Sequence, residues 1–266
     1  MSTKNLKEKF AGHALITGGS AGLGAEFARQ LAEKGMDIVL VARRKEKMEE
    51  LASEIQSKFK VQVEVIVQDL STMDCADKIK AELDSKKISV GLLVNNAGYG
   101  TYGYFHEIEP KSELQMIDLN VRTPVALTHA FLPEMVKRKK GGVIFLASNG
   151  AYQPCPFFAT YGATKAFNLM LGEALWGEYR EFGIEVISLS PGYTRTEFQD
   201  VAGNKGQEPL GGWSEPKEVV KQCLDNLGSE PSTIPGLMNS FLAWSMRFTP
   251  RKMAVLVGHS ILKPKK

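Results

Sequence analysis

The order of segments near the amino terminus constrains the fold more than any other feature of this sequence. An apolar segment, a glycine-rich loop, a helical pattern and a second apolar segment follow one another within residues 13–42. Such a unit joins two parallel strands through a helix, which predicts a twisted sheet covered by helices. The four parts are residues 13–17, 18–24, 25–34 and 37–42.

Short apolar segments and helical patterns continue to alternate along the rest of the chain. We therefore expect one α/β domain, a Rossmann-like, doubly wound parallel sheet of six to seven strands with a helical carboxyl-terminal extension. The later expected strands are residues 61–67, 90–94, 142–147, 184–190 and 232–235, and the later expected helices are residues 46–59, 111–138 and 160–182. Within this single domain of residues 1–266, we expect a binding and catalytic core at 11–200, a substrate loop and lid at 193–232, and an amphipathic tail at 233–266.

Composition excludes several classes of protein. The chain is 43% hydrophobic and 24% charged, which predicts a globular core rather than disorder. Its net charge of +3 is too small to indicate a nucleic-acid partner. The three cysteines, Cys75, Cys155 and Cys223, lie far apart, which argues against a disulfide framework and a zinc site. Residues 1–10 lack the apolar segment of a secretory signal, so we expect a cytoplasmic protein.

The glycine loop predicts a site for a phosphate-bearing cofactor. Gly18, Gly22 and Gly24 lie between the first strand and the first long helix. Glycines let the backbone approach a pyrophosphate closely, and a helix amino terminus offers free N–H groups to it. The alternative is a glycine-rich turn that binds nothing.

Two arginines follow the second strand, where dinucleotide-binding folds usually carry an acid that binds the ribose 2′-hydroxyl of NAD. Arg43 and Arg44 fit a 2′-phosphate by charge and by the geometry of the guanidinium group. We therefore expect NADP(H) in preference to NAD(H), with Arg43 as the main contact. A solvated arginine pair is the alternative.

Ser148 and the pair Tyr161 and Lys165 form the second functional pattern. Tyr161 and Lys165 are four residues apart, which places them on one face of a helix. A neighbouring ammonium group should lower the pKa of the phenol and make it a general acid or base. Ser148 ends an expected strand and can meet this pair where open α/β sheets bind ligands. Without that context, an exposed Tyr–Lys pair would be the simpler interpretation.

Taken together, these motifs resemble those of the short-chain dehydrogenase/reductase family. The resemblance covers about residues 11–200 and includes the glycine loop, Asn95-Asn96-Ala97-Gly98, Ser148, Tyr161-x-x-x-Lys165 and Pro191-Gly192. It implies that Tyr161 transfers the proton, Ser148 binds the carbonyl oxygen, Lys165 holds the ribose, and Asn120 holds a water molecule linked to the lysine. A buried amide that bonds to backbone is the alternative role of Asn120.

The resemblance also implies the residues that bind the cofactor. Asp69 is expected at the adenine, or as the cap of the next helix, and Thr196 at the carboxamide. The full implied set is Thr17, Gly18, Ser20, Gly22, Leu23, Gly24, Arg43, Arg44, Asp69, Leu70, Asn96, Ala97, Gly98, Tyr161, Lys165, Pro191, Gly192, Thr194 and Thr196.

The carboxyl-terminal tail departs from the usual ending of the family. Residues 234–262 are rich in large apolar side chains, but basic residues and Pro250 interrupt them before a bilayer-spanning length is reached. We expect an amphipathic helical pair, and a weak contact of this tail with a membrane surface is left open. The usual tetramer is therefore not assumed, and a homodimer is expected.

Aromatic loops predict an apolar substrate with a carbonyl or alcohol group, such as a steroid, a bile acid or a fatty acyl chain. The rings are Tyr99, Tyr102, Tyr104, Phe105, Tyr152, Phe157, Phe158, Phe198 and Trp213, of which about half should only pack the loops together. A glycine-rich lid is expected at residues 203–212. A non-catalytic NADP(H)-binding regulator or scaffold is the alternative function, although an intact Ser–Tyr–Lys set favours an enzyme.

Overall fold

Strands and helices alternate along the chain as the sequence predicts. The computed structural model describes residues 6–204 and 212–264. Its strands are β1 His13–Thr17, β2 Ile38–Ala42, β3 Val63–Val67, β4 Val90–Asn95, β5 Gly141–Leu146, β6 Ile184–Leu189 and β7 Ser232–Thr233. Its α-helices are α1 Leu6–Phe10, α2 Gly22–Glu33, α3 Lys45–Phe59, α4 Cys75–Ser85, α5 Pro110–Ile117, α6 Thr123–Arg138, α7 Ala159–Tyr179, α8 Phe198–Ala202, α9 Pro216–Asn226, α10 Leu237–Ser245 and α11 Arg251–Leu262.

The seven strands form one parallel sheet in the order β3-β2-β1-β4-β5-β6-β7. The chain therefore builds outward from β1 to one edge and then returns to β4 to build toward the other edge. The carboxyl ends of β1 and β4 lie side by side at this reversal, which is where open α/β sheets bind ligands. The predicted fold class is confirmed.

Hydrophobic cores lie on both faces of the sheet because successive residues of a strand point to opposite sides. Ile16 of β1 belongs to the core under α2, α3 and α9, whereas its neighbour Leu15 belongs to the core under α4 and α6. Both side chains are completely buried. Two buried layers of this kind explain why the central strands read as continuous apolar segments rather than alternating ones.

The long helix predicted for residues 111–138 is interrupted, with a π-helical turn at Asp118–Arg122 between α5 and α6. Pro124 has no N–H group to donate to the carbonyl of Asn120, so the regular helical bond at this position cannot form. The N–H of Thr123 instead reaches back five residues to the carbonyl of Asp118. Such turns are frequent at functional sites, and this one leaves the Asn120 carbonyl available to another partner.

After the short strand β7, the chain ends in the predicted helical pair, α10 and α11. Across residues 6–204 and 212–264, every helix is too short or too polar to cross a membrane. The expected glycine-rich lid falls mostly on residues 205–211, which lie outside the described residues.

Candidate active site

The glycine loop has the geometry that a phosphate-binding loop requires. Gly18 and Gly22 have positive φ angles of +66° and +55°, a conformation that side chains disfavour. A Cβ atom on Gly24 would lie 2.4 Å from the carbonyl oxygen of Gly18. No side chain caps the amino end of α2 at Ala21. The loop therefore presents backbone N–H groups and the positive end of a helix dipole to the space above the sheet.

Thr17 and Asn96 hold this loop against the neighbouring strand. The hydroxyl of Thr17 accepts hydrogen bonds from the backbone N–H groups of Asn96, at 2.9 Å, and Ala97, at 3.0 Å. The amide of Asn96 donates back to the carbonyl of Thr17 at 2.8 Å. These bonds fix the carboxyl ends of β1 and β4 relative to each other.

A single cavity of about 1060 Å³ runs from the arginine pair, across the glycine loop, to the tail helices. Thr17, Gly24 and Asn120 do not line it and lie behind its wall, where they support residues that do. The predicted residues that line it are Gly18, Ser20, Gly22, Leu23, Arg43, Arg44, Asp69, Leu70, Asn96, Ala97, Gly98, Ser148, Tyr161, Lys165, Pro191, Gly192, Thr194 and Thr196.

The two arginines have different surroundings. Arg44 forms an ion pair of 2.8 Å with Glu197 and donates to the hydroxyl of Ser20. Lys47 binds the other oxygen of the same carboxylate at 2.8 Å, and the two cations together lower the pKa of Glu197. Arg43 is exposed and, among the described residues, makes no hydrogen bond or ion pair of this kind. Arg43 is therefore the guanidinium that can take a phosphate without breaking an existing pair.

Asp69 lines the cavity and also shapes the turn after β3. Its carboxylate accepts bonds from the backbone N–H of Ser71, at 2.9 Å, and from the Ser71 hydroxyl, at 2.7 Å. These bonds lower the pKa of Asp69. Helix α4 begins at Cys75, so Asp69 caps the preceding turn and not the helix itself. Both bonds are made to Oδ1 of Asp69, which leaves Oδ2 able to contact a ligand.

The expected Ser148, Tyr161 and Lys165 set is assembled at one point of the cavity. Burial raises the pKa of Tyr161, and a hydrogen bond with Ser148 offsets part of this rise. Burial lowers the pKa of Lys165 to about 8. Lys165 Nζ lies 5.8 Å from the centre of the Tyr161 ring and donates to the carbonyl of Leu146 at 2.8 Å.

This arrangement differs from the expectation that Lys165 would lower the pKa of Tyr161. Removing the phenol from water disfavours the phenolate, and in this structure that effect exceeds any attraction from the ammonium group. Tyr161 is therefore held in its protonated form at neutral pH. A protonated phenol is the form that donates a proton to a carbonyl oxygen.

Asn120 is completely buried. Its side-chain amide donates to the carbonyl of Tyr99 at 2.9 Å and to the hydroxyl of Thr164 at 3.0 Å, and its oxygen accepts from the N–H of Tyr99. The backbone carbonyl freed by the π-helical turn accepts a bond from Asn168 at 2.9 Å. The amide thus bonds to backbone, which was the alternative interpretation, and it ties α7 to the loop after β4.

Aromatic rings surround Tyr161 at the substrate end. Phe158 and Phe198 flank it, with ring centres 5.8 and 5.3 Å away, and Tyr102 stacks on Phe158 at 4.8 Å. Of the nine rings singled out in the sequence, Tyr99, Tyr102, Phe158 and Phe198 line the cavity, and the other five do not: Tyr104, Phe105, Tyr152, Phe157 and Trp213. Among these five, Tyr104 and Phe157 pack edge to face at 5.2 Å, whereas Phe105 is exposed.

Sequence reasoning missed several residues that complete the site. The buried carboxylate of Glu113 accepts bonds from the hydroxyls of Thr101 and Thr160, which joins the loop after β4 to the start of α7. Leu242 and Ile261 of the tail close the far end of the cavity. These residues come from distant parts of the chain and carry no motif, so no sequence signal identifies them.

A glycine loop at the switch point of a parallel sheet, with a serine, a tyrosine and a lysine beside it, is typical of dinucleotide-dependent oxidoreductases. The model of the short chain dehydrogenase family matches residues 12–206. A very-long-chain 3-oxoacyl-CoA reductase of Macaca fascicularis is 32% identical over 241 residues, which are 89% of this chain and 75% of that protein.

Solved structures agree with this assignment. A structure of a 7beta-hydroxysteroid dehydrogenase has a TM-score of 0.86 and 27% identity, with 96% of this chain and 99% of that one covered. A short-chain dehydrogenase from Sphingobium yanoikuyae in complex with NADPH has a TM-score of 0.78 and 29% identity, with 96% and 98% covered. The chain belongs to the short-chain dehydrogenase family. It is an oxidoreductase that acts on CH–OH groups and uses a nicotinamide dinucleotide.

Proposed function

We propose that the protein is an NADP(H)-dependent oxidoreductase that interconverts a carbonyl and an alcohol on an apolar, fatty-acyl or steroid-like substrate. One observation carries the proposal: the cavity that Tyr161, Phe158 and Phe198 line extends to apolar side chains of the tail helices, among them Leu242 and Ile261. A small polar substrate would leave this apolar extension unfilled. The names of the relatives, a very-long-chain 3-oxoacyl-CoA reductase and a 7beta-hydroxysteroid dehydrogenase, support the same substrate class.

In the proposed mechanism, the residues of the chain bind, orient and protonate the substrate. Ser148 donates a hydrogen bond to the carbonyl oxygen, and Tyr161 gives it a proton. Lys165 holds the ribose hydroxyls, while Asn120 keeps α7 and the loop after β4 in register through Tyr99 and Thr164. The bound dinucleotide supplies the hydride. Because burial raises the pKa of Tyr161, the phenol carries its proton at neutral pH and has one to give to the carbonyl oxygen.

A carbonyl panel with Tyr161→Phe as the comparison tests this function. NADPH oxidation should be faster with long-chain 3-oxoacyl thioesters and bulky ketones than with sugars. Tyr161→Phe should lower kcat about 10²–10⁴-fold, because the proton donor is removed. Its affinity for NADPH, measured by fluorescence titration, should remain close to that of wild type. Residual activity above about a tenth of wild type would reject Tyr161 as the acid.

The proposed preference for NADP(H) depends on Arg43. A charged hydrogen bond to a partly exposed phosphate contributes about 1.5–3 kcal/mol, or roughly 10–150-fold in affinity. We expect at least an order of magnitude in kcat/KM in favour of NADPH over NADH. Arg43→Asp should reverse this preference, since a carboxylate repels the phosphate yet can accept bonds from a free 2′-hydroxyl.

Arg44 provides the comparison for Arg43. Its guanidinium is already paired with Glu197, so Arg44→Ala should change the preference less than Arg43→Ala does. Equal use of NADPH and NADH by wild type would contradict the proposed cofactor. If only Arg44→Ala lowered the use of NADPH, the assignment within the pair would be wrong.

We also propose a homodimer. Helices α5 and α7 pack against each other and expose large apolar side chains, among them Leu114 and Met170. Exposed apolar side chains on adjacent helices are typical of protein interfaces. Light scattering during size-exclusion chromatography gives the mass that decides between a dimer and a monomer.

A further inference from the structure

The two tail helices bury none of their large apolar side chains completely and expose most of them. In α11 the buried residues are Ala254 and Gly258. A Cβ atom on Gly258 would lie 3.2 Å from Pro156, so the helix packs closely through this small-residue face. In α10 the buried residues are Asn239 and Ala243. A helix at the surface of a globular protein normally has the opposite orientation, with its apolar stripe turned inward.

The outward faces of α10 and α11, with the turn between them, form what we call the tail surface. Among the described residues, ten of the twenty exposed large hydrophobic side chains of the protein lie in this short segment. Leu237 is 93% exposed and Phe248 is 71% exposed. The tail surface comprises Leu237, Met238, Phe241, Trp244, Phe248, Met253, Val255, Leu256, Val257 and Ile261. Such a concentration of exposed apolar side chains in one short segment indicates a binding site rather than contact with water.

The charge of the same segment is entirely of one sign. Residues 232–266 contain no aspartate or glutamate, although the whole chain has 30 of them. Arg247, Arg251, Lys252 and Lys263 are exposed beside the apolar side chains. Apolar side chains bordered by cations alone match the interface of an anionic bilayer, where lysine and arginine meet lipid phosphates and large side chains enter the acyl boundary.

We propose that the tail surface docks on an anionic lipid bilayer and that the cavity takes its substrate from that bilayer. A symmetric contact between two copies would place the cations of one tail against the cations of the other, with no acid in either tail to offset them. Anionic lipid removes that repulsion. The docking is interfacial, since no helix in residues 6–204 or 212–264 is long and apolar enough to span the bilayer.

The second part of the inference rests on the proposed apolar substrate. Leu242, Ala243 and Leu262 line the cavity from the inner side of the tail helices. Ile261 lines the cavity and is also 46% exposed on the tail surface. The substrate end of the cavity therefore opens beside the docking surface. A lipid-soluble ketone dissolved in the bilayer can reach Tyr161 without crossing water.

Vesicle flotation tests the docking without reference to activity. Wild type should float with phosphatidylcholine vesicles that contain phosphatidylglycerol, and it should float less with phosphatidylcholine alone. Trp244 gives a second readout because it lies on the tail surface. With Trp176 and Trp213 replaced by phenylalanine, its emission should shift to shorter wavelength when anionic vesicles are added. Absence of both signals would overturn the proposal.

Two matched double variants test whether the tail surface is the part of the protein that binds the vesicles. Phe241→Glu with Leu256→Glu should lower the vesicle affinity about tenfold or more, since two large side chains leave the acyl boundary. The control is Met73→Glu with Phe182→Glu, two exposed hydrophobic residues outside the tail, and it should bind as wild type does. An equal loss of vesicle affinity in both double variants would overturn the assignment of the docking site to the tail surface. If wild type self-associated but did not bind vesicles, and only the tail variant lost this self-association, the tail surface would bind a second copy of the chain instead.

Arg251→Glu with Lys252→Glu tests the charge separately. It should remove the preference for anionic vesicles and lower affinity by about fivefold or more per charge. Wild-type affinity that does not depend on the anionic lipid, or an unchanged preference for anionic vesicles in this variant, would contradict the proposed bilayer chemistry.

An activity measurement separates docking from the proposed reaction. The Phe241→Glu and Leu256→Glu variant should keep the kcat/KM of wild type for a water-soluble ketone and lose activity toward a long-chain substrate supplied in vesicles. Equal activity on the vesicle-borne substrate would overturn the access route. If wild type reduces no apolar ketone but still binds vesicles, the proposed substrate is wrong and the docking surface stands.

Discussion

The two ends of the cavity are built in different ways. At the cofactor end, the wall consists of strand ends and loops that directly follow β1, β2, β3, β4 and β5. Thr17 and Asn96 lock two of these strand ends together by short hydrogen bonds. At the substrate end, the wall combines the loop after β4, the turn before α7, the segment before α8 and both tail helices.

The contacts that join the substrate end are few and span long distances along the chain. The hydroxyl of Tyr102 donates to the carbonyl of Leu262, 160 residues away, at 2.7 Å. The carboxylate of Glu113 holds Thr101 and Thr160. Rings that stack across loops make up much of the remainder. The cofactor end is thus fixed by the sheet, while the substrate end depends on individual tertiary contacts.

The largest effect should come from adding one methyl group at the cofactor end. In Gly24→Ala the new Cβ atom would lie 2.4 Å from the Gly18 carbonyl and 2.6 Å from the Asn96 amide, so the backbone must move. Overpacking of this kind costs about 1–3 kcal/mol of stability. Because the displaced loop is the one that we propose binds the phosphates, NADPH affinity should fall about 100-fold or more. Thermal unfolding and fluorescence titration measure the two effects.

Gly177→Ala is the matched control, since it makes the same change in α7 where only adjoining residues and the backbone of the helix itself lie within 4 Å of the new Cβ. It should stabilise the protein by up to about 1 kcal/mol, because alanine favours the helix. If Gly24→Ala bound NADPH as tightly as this control does, the cofactor end would not be the rigid part of the site.

The difference between the two ends also decides what the sequence could predict. The sheet, its order of elements and the glycine loop depend on local patterns, and almost all the predicted cofactor residues line the cavity. Asn120 was identified, but its π-helical turn was not, because that turn arises from Pro124 and the packing of α7. Contacts such as Glu113 with Thr160 depend on tertiary packing between segments that share no motif.

A smaller effect on stability should come from Lys165, whose burial destabilises the fold. Burial lowers the pKa of Lys165 from its ordinary value of 10.5 to about 8. This lowering of the pKa destabilises the folded protein by about 1.4 kcal/mol per pH unit, and loss of the bond to Leu146 would cost about 1 kcal/mol. Lys165→Met should therefore stabilise the protein at pH 7 by about 2 kcal/mol. Asn168 still donates to the Leu146 carbonyl in this variant. Activity and NADPH affinity should both fall, since Lys165 is also the residue that we propose holds the ribose.

The stability advantage of Lys165→Met over wild type should depend on pH. Below about pH 8 both the folded and the unfolded chains keep Lys165 charged, so the full penalty applies to wild type. Between about pH 8 and 10.5 the folded protein loses this proton first, so the advantage of Lys165→Met should shrink. Lys111→Met, at an exposed lysine, should change stability by less than about 0.5 kcal/mol at any pH. A stability advantage of Lys165→Met that does not vary with pH would contradict the burial argument.

The smallest effect should come from the substrate end, where one hydroxyl joins the loop after β4 to the tail. Tyr102→Phe removes the bond to the Leu262 carbonyl, which is worth about 0.5–1.5 kcal/mol, or roughly 2–12-fold. Because the phenyl ring remains packed on Phe158, we expect the KM for a bulky ketone to rise by this factor, with little change in kcat. Tyr104→Phe, at an exposed ring in the same loop, is the control and should leave KM unchanged. NADPH affinity should be the same in both variants, because the sheet fixes the cofactor end independently of the tail. A loss of NADPH affinity in Tyr102→Phe that matches the rise in KM would show that the two ends form one cooperative unit.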